Sequence, residues 1–347
     1  MVITEAIIKA SGRQCIGYEM AEQVMDEIMS GQASEIQMAA YLTAMAVKGE
    51  TIEEITASAA GMRKHCVRLL HDRDVLEIVG TGGDRANSFN ISTTSALVVS
   101  AAGVPVAKHG NRAASSQSGA ADVLEALGVD IHITPEHSLE LLNQLGLCFL
   151  FAQNYHIAMK YVAPVRRELG IRTIFNILGP LVNPAGAKME LLGVYDKDLV
   201  EPMAKVLSNL GVQSALVVYG QDGLDEISLS SPTSVCELRN GFIRSFEITP
   251  EDYGFTRCDK SELVGGTPEL NAAITRAILA GEPGPKRDAT LLNSAAALYI
   301  ARPELSLDAA LELARDTIDS GRAAQQLERF VALSHQAPEA VGARSAS

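Results

Sequence analysis

The chain has 347 residues, of which 47% are hydrophobic, and its 29 basic and 42 acidic side chains give a formal net charge of −13. This length suits two or three units of ordinary domain size with a sizeable core. A strongly negative field repels polyanions, which argues against nucleic acid as a main partner. The sequence has no run of about 18 apolar residues and no secretory signal pattern, so we expect a cytoplasmic protein without a membrane partner.

The first 72 residues predict a unit made of helices alone. Four helical segments follow one another, and two of them carry the Ser/Thr-x-x-Glu/Gln pattern in which two side chains cap each other's backbone. These capping boxes are Ser34 with Gln37 and Thr51 with Glu54. The segment 36–47 is apolar nearly all round, which predicts that it lies at a subunit or domain interface.

From Val75 onward, short apolar runs alternate with helical segments, which predicts an α/β fold with a mostly parallel sheet flanked by helices. Asn240-Gly241, between two strand-like runs, predicts a hairpin. A stretch broken by prolines, about 160–185, is expected to return to the N-terminal helices and make the smaller helical domain discontinuous. The predicted domains are a helical domain at 1–72 with 160–185, an α/β domain at 73–159 and 186–336, and a disordered tail at 337–347.

The stretch VGTGGDRANSFNIST, 79–93, places three glycines and an acid directly after the apolar run VLEIV. A glycine-rich loop between a strand and a helix suits an anion, because it exposes backbone N–H groups beside the positive end of the helix dipole. Gly80, Gly82 and Gly83 are therefore predicted to approach a phosphate. A nicotinamide site is disfavoured because Arg85 stands at the third glycine position of G-x-G-x-x-G, and the absence of Gly-Lys excludes a nucleotide P-loop. A plain tight turn remains the alternative.

A second polar segment, KHGNRAASSQSG at 108–119, follows the next strand-like run, VPVAK, and precedes a helix expected near Ser118. The carboxyl ends of parallel strands meet at one edge of a sheet, so we expect the two polar loops to lie together. Lys108 and Arg112 supply positive charge, and Asn111 supplies hydrogen bonds. The segment is predicted to be a second cradle for a polyanion.

Several segments taken together resemble the anthranilate phosphoribosyltransferase family, through nearly the whole chain and in the family's order. They are GTGGD at 80–84, NIST at 90–93, KHGNRAASS at 108–116, SGAADVLEALG, PVRRELGIRTIFNILGPLVNP and DGLDE at 222–226. The resemblance implies a nucleoside phosphorylase/phosphoribosyltransferase-like fold. It also implies transfer of the phosphoribosyl group of 5-phosphoribosyl 1-pyrophosphate to the amine of anthranilate, giving N-(5-phosphoribosyl)anthranilate and pyrophosphate in tryptophan biosynthesis. Mg²⁺, two ions per subunit, and a homodimer through the helical domain are further implications.

The resemblance also implies a set of site residues. Those for phosphoribosyl pyrophosphate are Gly80, Gly83, Asp84, Ser88, Asn90, Ile91, Ser92, Thr93, Lys108, His109, Gly110, Asn111, Arg112, Ala113, Ala114, Ser115, Ser116 and Ala120. Those for anthranilate are Gly80, Asn111 and Arg166, and those for magnesium are Ser92, Asp225 and Glu226. Two alternatives stay open, because Asp84 can instead cap its own turn and an adjacent Asp-Glu pair is often a solvated turn.

His109 and His156 suggest a catalytic base. However, an aromatic amine is already neutral at pH 7 and needs no deprotonation before it attacks, so we favour a positioning role for His109 and assign no acid or base. The sequence departs from the family's commonest pattern at three positions, Gln153, Ile157 and Tyr219. These differences concern the contacts with the substrates and not the type of reaction.

Two rival functions remain. A pyrimidine nucleoside phosphorylase is similar in fold, but its K-x-S-x-x-G-x-G-x-x-x-G-G segment does not occur in this sequence. A non-catalytic relative that binds nucleic acid would need a basic groove, which a chain with a net charge of −13 does not suggest.

Overall fold

The structure is a computed structural model that describes residues 1–113 and 116–336. The predicted binding roles of Ala114 and Ser115 and the predicted disordered tail lie outside these residues. Within them, no helix combines the length and the apolar composition that crossing a bilayer requires.

The predicted N-terminal helices are all present. They are α1 (Val2–Ser11), α2 (Gly17–Met29), α3 (Glu35–Lys48) and α4 (Ile52–Lys64). Both capping boxes are confirmed: the amide of Gln37 donates to Ser34 Oγ at 3.3 Å, and the amide of Glu54 donates to Thr51 Oγ1 at 3.2 Å. Each box satisfies backbone donors that the first turn of a helix leaves free.

Seven strands form one sheet in the order β3-β2-β1-β4-β5-β6-β7. They are β1 (Leu76–Gly80), β2 (Val106–Gly110), β3 (Leu147–Phe151), β4 (Met189–Gly193), β5 (Ser214–Gly220), β6 (Thr233–Arg239) and β7 (Phe242–Ile248). The first five strands are parallel, and β6 and β7 are antiparallel to their neighbours. Asn240 and Gly241, both with positive φ, form the turn of the predicted hairpin. The predicted fold class is confirmed.

Helices pack on both faces of the sheet. After the four N-terminal helices come α5 (Ile91–Ala101), α6 (Ala120–Ala126), α7 (Pro135–Leu145), α8 (Ala152–Tyr155), α9 (Ala163–Leu169), α10 (Phe175–Leu178), α11 (Val200–Asn209), α12 (Pro268–Leu279), α13 (Pro285–Ala301), α14 (Leu307–Asp319) and α15 (Arg322–Ser334). Side chains of β5 alternate between two hydrophobic cores, because successive residues of a strand point to opposite faces. Leu216 and Val218 join the core that contains α5 and α12 to α15, whereas Ala215 and Val217 join the core that contains α1 to α4 and α11.

The stretch between β3 and β4 packs with the N-terminal helices. Val162 and Val165 belong to the same hydrophobic core as α1 to α4, and Arg63 of α4 donates from Nε to the carbonyl of Leu181 at 2.8 Å. This packing supports the proposed discontinuous helical domain, whose boundaries remain a prediction.

We expect Thr51→Ala to lower the free energy of unfolding by about 1 kcal/mol, because it removes the acceptor for the Glu54 amide at the start of α4. Thr51→Ser keeps this acceptor and is the matched control. Chemical denaturation of the three proteins measures the effect, and equal unfolding midpoints for the alanine and serine variants would show that the cap contributes nothing.

Candidate active site

The glycine loop and the Asp225-Glu226 pair meet at the carboxyl edge of the sheet. The amide of Gly82 donates to Asp225 Oδ2 at 2.7 Å, and the amide of Ser92, in the first turn of α5, donates to Glu226 Oε1 at 3.0 Å. Segments far apart in the sequence therefore form one site. It lies beside β1, where the strand order reverses direction, which is the usual place for a ligand in such sheets.

Asp225 lies against the ends of β1 and β4, where only glycine leaves enough space. A β-carbon added to Gly80 would lie 2.4 Å from Asp225 Oδ2, and one added to Gly193 would lie 1.6 Å from the Asp225 carbonyl oxygen. Both distances are far below van der Waals contact. The first glycine of the loop is therefore required by packing against an acid, in addition to any approach of a ligand.

Three carboxylates converge here with unfavourable electrostatics. Burial raises the pKa of Asp225 well above its usual range, and the charges of Asp84 and Glu226 raise it further, while the Gly82 amide opposes the shift. Burial raises the pKa of Glu226 to about 7, against the opposing charge of Lys108. The site therefore holds acidic oxygens whose repulsion a bound cation would relieve.

Asp84 does two things at once. Its Oδ1 accepts from the amide of Ala86 at 3.2 Å, so the side chain caps its own turn as the alternative interpretation held. Its Oδ2 is buried and has no hydrogen-bond partner among the described residues. No cluster of three or more His, Cys, Asp or Glu with ligand geometry occurs in residues 1–113 and 116–336.

Lys108 is the buried cation of the site. Its side chain is 4% exposed, and Nζ donates to the carbonyl of Ile78 at 2.6 Å and lies 3.4 Å from Ser92 Oγ. Burial lowers the pKa of Lys108, and the charges of Glu77 and Glu226 oppose this shift. The ammonium therefore lies between β1 and α5, beside the predicted magnesium residue Ser92.

The second polar segment differs from the prediction at its start. Lys108, His109 and Gly110 belong to strand β2 and not to a loop, because their backbone continues the parallel pairing with β3. Arg112 is held by α6, where its guanidinium pairs with Asp122 at 3.1 Å and with Glu125. The positive charge that the sequence suggested for an anion is thus partly neutralised inside the protein.

Among the other predicted phosphoribosyl pyrophosphate residues, Asn90 connects the two loops. Asn90 Nδ2 donates to the Ser118 carbonyl at 3.1 Å, and its Oδ1 accepts from Asn271 at 2.8 Å. Ser88 forms an isolated bridge with Val264. The remaining members lie at the start of α5 (Ile91, Thr93), at the end of β2 and in the segment after it (Gly110, Asn111, Ala113, Ser116), and at the first residue of α6 (Ala120). The side chain of Asn90 binds protein groups, so it holds the loops together.

Comparison with known proteins decides the family. Residues 72–324 match the glycosyl transferase family a/b domain, and residues 4–66 match the glycosyl transferase family helical bundle domain. Anthranilate phosphoribosyltransferase from Methanobrevibacter smithii is 65% identical over 330 residues, which cover 95% of this chain and 98% of that protein. The chain belongs to the anthranilate phosphoribosyltransferase family.

Two solved structures of anthranilate phosphoribosyltransferases share the whole fold. The enzyme from Thermus thermophilus has a TM-score of 0.90 at 46% identity, covering 95% of this chain and 99% of its own. The Saccharomyces cerevisiae enzyme, in complex with PRPP and Mg, has a TM-score of 0.88 at 28% identity, covering 96% and 97%.

Two histidines of this family member form a buried pair. The rings of His109 and His156 lie 5.0 Å apart at an angle of 54°, and each Nε2 is buried without a hydrogen-bond partner among the described residues. Burial lowers the pKa of His109 well below its usual range and that of His156 to about 4, so both rings are neutral near pH 7. Neutral rings suit contact with an aromatic group.

Arg166 lies on α9 with its guanidinium 5.5 Å from the centre of the Phe175 ring. Burial lowers the pKa of Arg166, and it makes no ion pair with a described residue. A half-buried guanidinium without a carboxylate partner is available for one from a ligand.

The sequence did not reveal Arg172 as a residue of this region. Its Nη2 donates to the Gly83 carbonyl, and its guanidinium stacks 4.0 Å from the centre of the Tyr195 ring. The amide of Tyr195 in turn donates to Thr81 Oγ1 at 3.1 Å. No spacing or composition marks this contact, because it joins three segments that are distant in sequence.

We expect Gly80→Ala to destabilise the fold by about 1–3 kcal/mol, because its β-carbon would overlap Asp225 Oδ2. Gly12→Ala is the control, since a β-carbon there lies at an ordinary 3.4 Å from the nearest atom. Denaturation curves measure both. Equal unfolding midpoints for the two variants would contradict the proposed close packing.

His156 should make stability depend on pH. Because its pKa falls to about 4 in the folded protein, the folded state disfavours the proton, and stability is complete above pH 6.5 and is lost as the pH falls towards 4. We expect wild type to lose up to about 3 kcal/mol more than His156→Gln over this range. Unfolding free energies measured at several pH values test this, and parallel pH profiles would show that His156 titrates normally.

Proposed function

We propose that this chain transfers the phosphoribosyl group of 5-phosphoribosyl 1-pyrophosphate to the amine of anthranilate, releasing pyrophosphate, as a step of tryptophan biosynthesis. The observation that carries the proposal is the convergence of the glycine loop, Lys108 and the Asp225-Glu226 pair at one edge of the sheet. The names of the relatives, which match over 95% of the chain, support the same reaction.

The residues present fit a magnesium ion. Asp225 and Glu226 are buried acids with raised pKa values, Asp84 Oδ2 has no partner among the described residues, and hard cations prefer such oxygens. Asp225, Glu226 and the hydroxyl of Ser92 would hold the metal, and we propose two ions per subunit. When bound, magnesium neutralises charge on the pyrophosphate as it leaves.

The protein contributes positioning and charge at the sugar phosphate. Backbone N–H groups of the glycine loop and of the α5 N-terminus can donate to phosphate oxygens, and the ammonium of Lys108 places a positive charge beside them. These donors would favour the transition state, in which the bond from the anomeric carbon to pyrophosphate breaks while the bond to nitrogen forms.

The acceptor needs orientation more than activation. Arg166 would bind the anthranilate carboxylate through its two parallel N–H groups, and Asn111 and Gly80 would complete the contacts. The amine attacks with its own lone pair, so His109 is a positioning residue, and its neutral ring suits contact with an aromatic substrate. Holding both substrates in line supplies much of the rate.

The direct experiment follows anthranilate fluorescence in a mixture of protein, magnesium and phosphoribosyl pyrophosphate, with a coupled enzyme that consumes the product. The chain contains no tryptophan that would interfere. We expect a loss of signal that requires magnesium. No loss with folded protein and intact substrates would reject the transferase, and phosphate-dependent cleavage of a pyrimidine nucleoside or a salt-dependent gel shift would instead favour one of the two rivals.

Arg166→Ala should raise the KM for anthranilate about tenfold or more with little change in the KM for phosphoribosyl pyrophosphate, because only the acceptor loses a charged partner. Arg167→Ala is the matched control, since Arg167 is the exposed next residue of α9. Steady-state kinetics separate the two constants. Equal constants in the two variants would remove Arg166 from the acceptor site.

We also propose that two copies associate through the helical domain. Ile36 and Val47 of α3 are 83% and 66% exposed, and Ala39, Ala40 and Thr43 lie between them on the same helix. An apolar surface of this kind is typical of an interface. Light scattering should give twice the chain mass, and Ile36→Glu should lower it, whereas a monomeric wild type would exclude the association.

A further inference from the structure

The ladder between β1 and β2 is unlike the others in the parallel sheet. Strand β1 pairs with β4 over five residues, and β2 pairs with β3 over five residues, but β1 and β2 are in register only at Leu76 and Val106. Beyond that point no ladder pair joins the two strands, although they are neighbours in the sheet. Their backbone groups need other partners, since an unpaired buried group is costly.

Side chains fill the gap between the two strands. The Ile78 carbonyl of β1 accepts from Lys108 Nζ at 2.6 Å, and the His109 amide of β2 donates to the two carboxylate oxygens of Glu77 at 3.0 and 3.2 Å. The Ala107 carbonyl accepts from Asn183 Nδ2 at 2.8 Å, and the same nitrogen donates to Glu77. These backbone groups are therefore bonded to one of three side chains, Glu77, Lys108 or Asn183.

Glu77 is the centre of this arrangement. It is fully buried, and its carboxylate accepts from the amides of His109 and Ile78 and from Asn183. Burial raises its pKa, whereas Lys108 and the three donors oppose this shift and favour the ionised carboxylate. An ionised carboxylate only accepts hydrogen bonds, so a site that presents only donors suits it.

Glu190 provides an internal comparison. It stands opposite Glu77 in the β1–β4 register and is 2% exposed, yet it makes no hydrogen bond to β2, and its Oε1 has no partner among the described residues. The two acids lie at a similar depth, but of the two only Glu77 hydrogen-bonds to the strand that carries Lys108 and His109.

We propose that Glu77 is a positioning residue for the active site. Successive residues of β2 point to opposite faces, so a bond to the His109 amide fixes His109 on one face and Lys108 on the other. By holding β2 away from β1, Glu77 leaves the Ile78 carbonyl free to bind the Lys108 ammonium beside Ser92. The expected effect on kcat/KM rests on the proposed function, whereas the hydrogen bonds of Glu77 do not depend on it.

The first test compares Glu77→Gln with Glu190→Gln. The glutamine at 77 presents an N–H group to one of the existing donors, so we expect kcat/KM to fall about 10²-fold with a melting temperature close to that of wild type. Glu190→Gln makes the same substitution at the facing, similarly buried position and should stay within about twofold. Retained activity in Glu77→Gln, or an equal loss in both variants, would overturn the proposal.

A second readout needs no turnover. Calorimetric titration with pyrophosphate in the presence of magnesium should show about tenfold weaker binding for Glu77→Gln than for wild type and Glu190→Gln, because the shifted Lys108 no longer faces the anion. If wild type binds but does not transfer, the proposed function fails while this comparison still decides the role of Glu77.

An exchange of donor and acceptor settles the case in which Glu77→Gln fails to fold. Asn183→Asp alone places two carboxylates against each other, whereas Glu77→Gln/Asn183→Asp restores one donor and one acceptor. We expect the double variant to recover pyrophosphate binding by about tenfold relative to Asn183→Asp. A double variant that binds pyrophosphate no better than Asn183→Asp would refute the proposal.

Discussion

The site depends on the burial of one carboxylate, that of Asp225, between the ends of two parallel strands. Its main chain lies so close to Gly193, and its side chain so close to Gly80, that neither position tolerates a β-carbon. The Gly82 amide then binds the same carboxylate, so the first turn of the glycine loop is shaped by an acid from the segment between β5 and β6. The loop is built around this group before any ligand arrives.

Burial creates a second constraint, since the acids and Lys108 must tolerate one another without bulk water. The raised pKa values of Asp225 and Glu226 and the lowered pKa of Lys108 share one main cause, which is the loss of hydration. Binding of an anion alone beside these acids is electrostatically unfavourable. Binding of an anion together with a cation is not, because the cation offsets the added negative charge.

The sequence predicted the features that short-range signals determine. Capping boxes, the Asn240-Gly241 turn and the alternation of apolar runs each involve neighbouring residues, and the structure confirms them. It also located the segments of the candidate site, because the glycine loop and the DGLDE segment follow strands of one sheet edge. Contacts between distant segments could not be predicted from the sequence. Arg112 pairs with acids of α6, and Arg172 binds the glycine loop from another part of the chain. Glu77 is a charged residue within the apolar run VLEIV, but the sequence does not predict its partners, because they depend on the spacing between two strands.

The contact of Arg172 links two parts of the molecule that the sheet does not join directly. Its segment follows α9, which packs in the core of the N-terminal helices, while its partner Gly83 lies in the loop after β1. A rotation of the helices against the sheet would stretch this bond and disturb the loop. Such coupling is reciprocal. If a ligand bound to the loop favours one orientation of the helices, that orientation raises the affinity for the ligand by the same factor. Occupancy of the loop and orientation of the helices would then be two measures of one equilibrium.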